Sequence, residues 1–165
     1  MSQKNFLGIP VDGEITRPDS RVRQRPLSDL EPMIRALLDD STIVEFGWTQ
    51  YTPYFNDGEP CVFRVNLPWF RTPDDPVLDP QLTYELTLGG GEHPTLGGRP
   101  DEWANGQYKG NPYVGPDEER YNRARLLSDA FDSGAFDDVL LEAFGDHAHI
   151  TVRRSGITVD RYSHE

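Results

Sequence analysis

A chain of 165 residues suffices for one domain with a core of its own, and its single cysteine, Cys61, excludes an internal disulfide. The net charge of −12 argues against nonspecific binding to nucleic acid or to an anionic membrane, because both draw on basic surface. Glycine and proline are abundant, at 15 and 14 residues, so long loops are expected.

Residues 1–26 carry mixed charge and little periodicity, and read as an arm that lies on the surface or is partly disordered. This arm is basic, since Lys4, Arg17, Arg21, Arg23 and Arg25 outnumber Asp12, Glu14 and Asp19. The remainder, 27–165, reads as a single domain whose acids concentrate in 101–146. That acidic half would suit a basic partner or a DNA mimic, or would simply form a solvated helical face. No N-terminal apolar run resembles a signal peptide, and none approaches the roughly 20 residues of a membrane span. The expectation is a soluble, cytoplasmic protein with no membrane partner.

The first predicted helix covers 28–39. Ser28 suits an N-cap with Glu31 at the capping-box position, and Pro32 falls in the first turn. Leu30, Met33, Ile34, Leu37 and Leu38 follow as one apolar stripe. A β-hairpin comes next, with strands at 42–51 and 60–67. Val44, Phe46 and Trp48 alternate with polar or small neighbours, as do Cys61, Phe63, Val65 and Leu67. Between them Asn56-Asp57-Gly58 offers the positive φ of a tight turn. On this parity Cys61 is a small buried hydrophobe. Gln50, in phase with Phe46 and Trp48, is a buried amide paired with Asn56 or a backbone group.

Residues 68–80 read as loop, and 81–88 as a third strand in which Leu82, Tyr84, Leu86 and Leu88 alternate. The stretch 89–116 mixes glycines at 89–91, 97, 98, 106, 110 and 115 with Trp103, Tyr108 and Tyr113. Its length as a loop points to function or to disorder. Pro116 and Asp117-Glu118-Glu119 then suit a helix start, with Tyr121, Ala124, Leu127 or Ser128, and Phe131 as its buried face. Ser133 is placed to cap a further helix with the stripe Phe136, Val139, Leu140, Ala143 and Phe144, stopped by Gly145. A terminal hairpin sets Ala148, Ile150 and Val152 against Ile157 and Val159 across Arg154-Ser155-Gly156. This order predicts an α+β fold. It consists of an antiparallel sheet of about five strands, two hairpins plus one strand, with about three helices packed on one face.

Motifs of catalysis are sparse. His147-Ala-His149 sets two imidazoles on one side of a strand beside Asp146, a pair that would chelate a metal with His93 or His164 as third ligand. The plainer reading is surface histidines on an edge strand. No cysteine pair, HExxH or complete EF-hand loop occurs, and Asn56-Asp57-Gly58-Glu59 lacks calcium-loop spacing. The glycine clusters lack the ending of a phosphate loop, and there is no GxSxG elbow. No cofactor, metal or catalytic residue is therefore assigned. The aromatic hairpin loop is the stronger candidate, because Tyr51, Tyr54 and Phe55 near a turn offer amphipathic contact area. Against it stands a purely structural role, in which these rings close one end of the core.

The string Trp48-Thr-Gln-Tyr-Thr-Pro-Tyr-Phe-Asn-Asp-Gly-Glu-Pro-Cys61, followed by Phe63 and Val65, resembles a sequence found in a group of uncharacterised bacterial and bacteriophage proteins. The ending is similar to theirs too: Phe144-Gly-Asp-His-Ala-His-Ile-Thr-Val, then Arg154-Ser-Gly-Ile-Thr-Val, Tyr162 and His164. The resemblance implies a bacterial or phage cytoplasmic origin and brings no activity or site residues with it.

The reading that results is a non-enzymatic, acidic interaction protein, such as a phage-encoded inhibitor or an immunity-like modulator of a host protein. Its partner is another protein, met through Trp48, Gln50, Tyr51, Tyr54, Asn56, Asp57, Trp103 and Tyr108. One alternative is a binder of a nucleotide-like ligand, with loop aromatics stacking the base and Arg21, Arg23 or Arg25 meeting the phosphate. Another is a small metal-dependent hydrolase using Asp57 or Asp146 with His147 or His149. Oligomeric state is left open by the sequence.

Overall fold

The computed structural model describes residues 4–13, 22–54, 58, 61–89, 92–100, 102–104, 106–109 and 112–163. In chain order these form β1 (Lys4–Phe6), β2 (Ile9–Val11), α1 (Leu27–Leu38), β3 (Glu45–Tyr51), β4 (Arg64–Val65) and β5 (Trp69–Arg71). A short 3-10 helix (Pro80–Leu86) follows, then the strand pairs β6 (Glu92–His93) with β7 (Gly97–Gly98) and β8 (Glu102–Ala104) with β9 (Gln107–Lys109). The chain ends with α2 (Glu118–Asp132), α3 (Asp137–Phe144), β10 (Ala148–Arg153) and β11 (Gly156–Arg161). The fold is α+β. None of its helices, among the described residues, is long and apolar enough to cross a membrane.

The main sheet is antiparallel, in the order β11-β10-β3, with β4 and β5 both pairing with the far edge of β3. Its centre is the β3–β10 ladder, in which Phe46 faces Val152, Trp48 faces Ile150 and Gln50 faces Ala148. Alternation puts these six side chains on one face, and all six are buried. The five apolar ones share one core with Leu30 and Leu37 of α1, Tyr121, Leu127 and Phe131 of α2, and Leu140 of α3. Trp48 meets the ring of Phe131 edge-on at 4.9 Å and that of Phe144 at 5.8 Å.

The other face of the sheet is polar but also closed at its centre. Glu45 is buried and divides its carboxylate between two arginines on flanking strands, Arg71 Nε at 2.9 Å and Arg153 Nε at 2.6 Å. Two residues further on, on the same face, is Gly47, over which the indole of Trp69 lies. A Cβ at Gly47 would meet both that indole and the backbone carbonyl of Ile150.

The α1–β3 connection is tied down from three directions. Asp40 binds Thr42 through its backbone N–H and hydroxyl, and takes Arg123 of α2 at 2.7 Å. Burial by itself would raise the Asp40 carboxyl, but the bonds from Thr42 and Arg123 outweigh it and hold the group below its ordinary value. Arg154, in the β10–β11 turn, donates to the carbonyls of Asp40 and Ile43. Arg120 reaches from α2 to Thr42 Oγ1 and to the Thr95 carbonyl, which fastens the 72–98 segment to the same corner.

Several expectations are corrected. The third strand expected at 81–88 is instead the 3-10 helix Pro80–Leu86. Pro80 sets the helical φ, Thr83 Oγ1 closes the turn onto the Pro80 carbonyl, and burial falls on Thr83 and Leu86 rather than on Leu82 and Tyr84. The sheet still reaches five strands because Trp69–Arg71, read as loop, pairs with β3. Helix α1 starts at Leu27, with Pro26 at its N-cap and no side-chain cap, so Ser28 and Glu31 form no capping box. Ser133 ends α2 rather than opening α3, its hydroxyl donating to the Ala130 carbonyl. Cys61 is exposed, because strand pairing resumes only at Arg64. The 89–116 stretch is not one open loop: it contains two short hairpins and a Gly98↔Val114 bridge. The terminal hairpin sets the expected residues against each other, Val152 with Ile157 and Ile150 with Val159, but its turn is Arg154-Ser155 alone, because Gly156 pairs with Arg153 as the first residue of β11.

Gly47→Ala is expected to destabilise the protein by at least about 2 kcal/mol, because one of the atoms it strikes is backbone and cannot rotate away. Urea unfolding followed by tryptophan fluorescence measures it.

Candidate functional site

At one end of the main sheet β3 runs out at Tyr51 and the chain re-enters the sheet at Ala148. The two ends are clasped together twice. Inside, Gln50 is wholly buried, accepts Trp48 Nε1–H at 2.9 Å through Oε1, and donates through Nε2 to the carbonyls of Leu140 and Gly145 at 2.9 and 2.7 Å. Outside, Thr52 donates its backbone N–H and its hydroxyl to the Asp146 carboxylate at 2.8 and 2.6 Å. Asp146 also accepts the backbone N–H of His147. Burial would raise the Asp146 carboxyl, yet the bonds from Thr52 and His147 hold it below its ordinary value, so it is ionised at neutral pH.

Aromatic rings decorate this clasp. Tyr51 stacks on Tyr162 at 5.6 Å between centroids, and Tyr54 stacks on His147 at 5.2 Å. The Tyr162 backbone N–H donates to the His147 carbonyl, which ties the end of β11 to the same corner. His147 has φ 53, a left-handed conformation uncommon outside glycine, and the surrounding bonds enforce it. Tyr54 is 62% exposed, while Tyr51, His147 and Tyr162 are half-buried. Burial, with the Tyr51 ring beside it, pushes the Tyr162 phenol up. The result is an aromatic surface over an ionised carboxylate.

The expected site residues distribute unevenly about this surface. Tyr51 and Tyr54 are part of it. Trp48 and Gln50 lie beneath it in the core and support it rather than form it. Gln50 is a buried amide as expected, and its partners are the two backbone carbonyls and the Trp48 indole. Asn56 and Asp57 lie outside the described residues; Gly58 has φ +77, as the turn reading requires. Trp103 and Tyr108 stand opposite each other in the β8–β9 register, in a separate two-stranded sheet. Of the arginines considered for a phosphate, Arg25 is engaged with Asp29 at 3.1 Å and lies over the Phe136 ring. Thr52, Asp146 and Tyr162 escaped the sequence reading as a unit, since Thr52 and Asp146 are 94 residues apart and carry no local motif.

Among the described residues the histidines do not converge, and His164 lies outside those residues. His149 was expected at a surface edge, but β10 is interior to the sheet and His149 is only 6% exposed, stacked parallel to Trp69 at 6.0 Å. Neither of its ring nitrogens, nor Trp69 Nε1, has a hydrogen-bond partner among the described residues. His93 is held elsewhere: its Nε2 meets the Phe70 carbonyl at 2.7 Å, and its Nδ1 accepts from the N–H groups of Thr95 and Leu96. Those partners select the tautomer with the proton on Nε2. Among the described residues no three His, Cys, Asp or Glu side chains are grouped to hold a metal ion. No protein-family model, curated protein or solved structure matches the chain.

Burial lowers the pKa of both His93 and His149 below the usual 6.5. A depressed folded-state pKa contributes stability that is present above the unfolded value and lost as pH falls. The midpoint of chemical unfolding is therefore expected to fall as pH drops below about 6.5. The loss should be smaller in His93→Gln and His149→Gln than in the parent chain.

Proposed function

We propose that this chain is a non-enzymatic interaction protein that binds another protein through the aromatic end of its main sheet. The observation that carries the reading is the exposed Tyr54 ring, stacked on a His147 whose backbone is pinned by Tyr162 and by Asp146, which Thr52 holds in turn. Protein interfaces draw most of their energy from a few aromatic anchors, and such anchors contribute most when ordering them on binding requires little further entropy. Here the two stacks are already ordered, because Gln50 and Thr52 clasp the strand ends beneath them. The chain's net charge of −12 favours a partner of opposite sign and speeds encounter with it. The sequence resemblance to bacterial and bacteriophage proteins fits a modulator of a host protein, acting as an inhibitor or an immunity-like factor. Trp103 and Tyr108, on the β8–β9 hairpin, are proposed to extend the contact.

The test is affinity capture from host lysate with the full chain, followed by quantitative mass spectrometry. A specific partner is expected, and the double variant Tyr54→Ala/Tyr162→Ala should retain at least about tenfold less of it, as loss of hot-spot residues does. Equal retention by the variant would remove the aromatic end from the interface.

A further inference from the structure

Strand β11 is the one strand of the five-stranded sheet exposed along its whole length, and among the described residues its outer edge has no partner strand. Its Ile157-Thr158-Val159 run is rich in β-branched residues, with Ile157 54% and Val159 48% exposed. Edges of this kind are usually blunted by proline, a bulge or charged side chains, and in β11 the charges, Asp160 and Arg161, fall only at the end of the strand. Here 156–161 contains no proline, and the ladder with β10 runs residue for residue from Ala148↔Arg161 to Arg153↔Gly156.

We propose that this edge pairs with β11 of a second copy of the chain. The pairing is antiparallel about a two-fold axis at Val159, and it joins two five-stranded sheets into one. A two-fold axis normal to the sheet keeps like faces together, so residues of the same parity must oppose each other. In the Val159-centred register Val159 meets its own counterpart, Ile157 faces the second copy's Arg161, and Thr158 faces the second copy's Asp160. The neighbouring register centred on Asp160 would set two carboxylates directly opposite and is disfavoured.

Charge complementarity at this edge selects a second copy as the occupant. Arg153 keeps Nε on Glu45 and sends Nη1 outward to Thr158 Oγ1 at 3.2 Å. Its guanidinium thus reaches the position that the second copy's exposed Asp160 faces, and the two-fold axis makes this ion pair twice. On the opposite face, Ile157 and Val159 of both copies join into one apolar strip beside Ile150 and Val152. An edge whose one face is apolar at the axis, with Arg161 at its end, and whose other face carries matched opposite charges is complementary to itself.

Native mass spectrometry and sedimentation of the full chain at about 100 µM test the pairing, a concentration that populates even a weak dimer. The expected mass is twice the 18.7 kDa of the chain. Val159→Lys would set two ammonium groups against each other on the axis, and Asp160→Arg would oppose the second copy's Arg153. Each should return the mass to that of one chain, with circular dichroism unchanged because both side chains are exposed. A parent protein that stays monomeric, or a dimer that both variants leave intact, overturns the proposal. So does a dimer lost on Phe6→Asp but not on Val159→Lys, which would assign the contact to the exposed β1–β2 hairpin.

Discussion

The buried amide of Gln50 is the contact on which the site end of this molecule depends. One side chain satisfies the indole N–H of the largest core residue and donates to two backbone carbonyls, Leu140 within α3 and Gly145 at its C-cap. Helix ends leave carbonyls without intrahelical partners, and a buried polar group without a partner costs about 1–3 kcal/mol, so this amide can be replaced by neither a shorter nor an apolar side chain without loss. Because Gly145 is immediately followed by Asp146 and His147, the same bond that ends α3 also aims the aromatic clasp. Core packing and surface geometry are thus coupled through one residue of β3.

The opposite face of the sheet obeys a different logic. There the barrier to burial is charge, and it is overcome by giving Glu45 two arginines on flanking strands, so that the carboxylate is enclosed with both oxygens hydrogen-bonded. Beside it the absence of a side chain at Gly47 lets Trp69 lie flat against the backbone and cover the row that ends in His149. Among the described residues the sheet is therefore closed on both faces at its centre and exposed along the whole of β11. The corner between α1 and β3, held by Asp40, Arg123, Arg154 and Arg120, fixes how the helical layer sits against that sheet.

Much of this was legible in the residues because local periodicity and burial agreed. The stripes of α1 and α2, the alternation of Phe46, Trp48 and Gln50, and the pairing of the last two strands as a hairpin follow from spacing alone, since each element has one apolar face and one core to bury it in. The α+β class follows from their order. The reading failed where alternation was accidental. Leu82, Tyr84, Leu86 and Leu88 alternate as a strand would, but Pro80 and the Thr83 hydroxyl close a 3-10 turn there, and a short apolar run cannot by periodicity reveal which period it obeys. Cys61 has the parity of a buried residue yet lies before its strand begins.

What the sequence by itself determined, then, is the set of elements that carry a clear apolar face, the burial of Gln50, and the presence of an aromatic string with a glycine turn. The tertiary structure alone decided the rest. It decided that Trp48 lies beneath the candidate surface, that Thr52 and Asp146 clasp across 94 residues, that Tyr162 completes the aromatic end, and that His149 lies inside the sheet. The physical reason is that hydrogen bonds and stacks between distant segments leave no periodic trace. Their partners are chosen by where the core places two strand ends, and no local propensity records that choice.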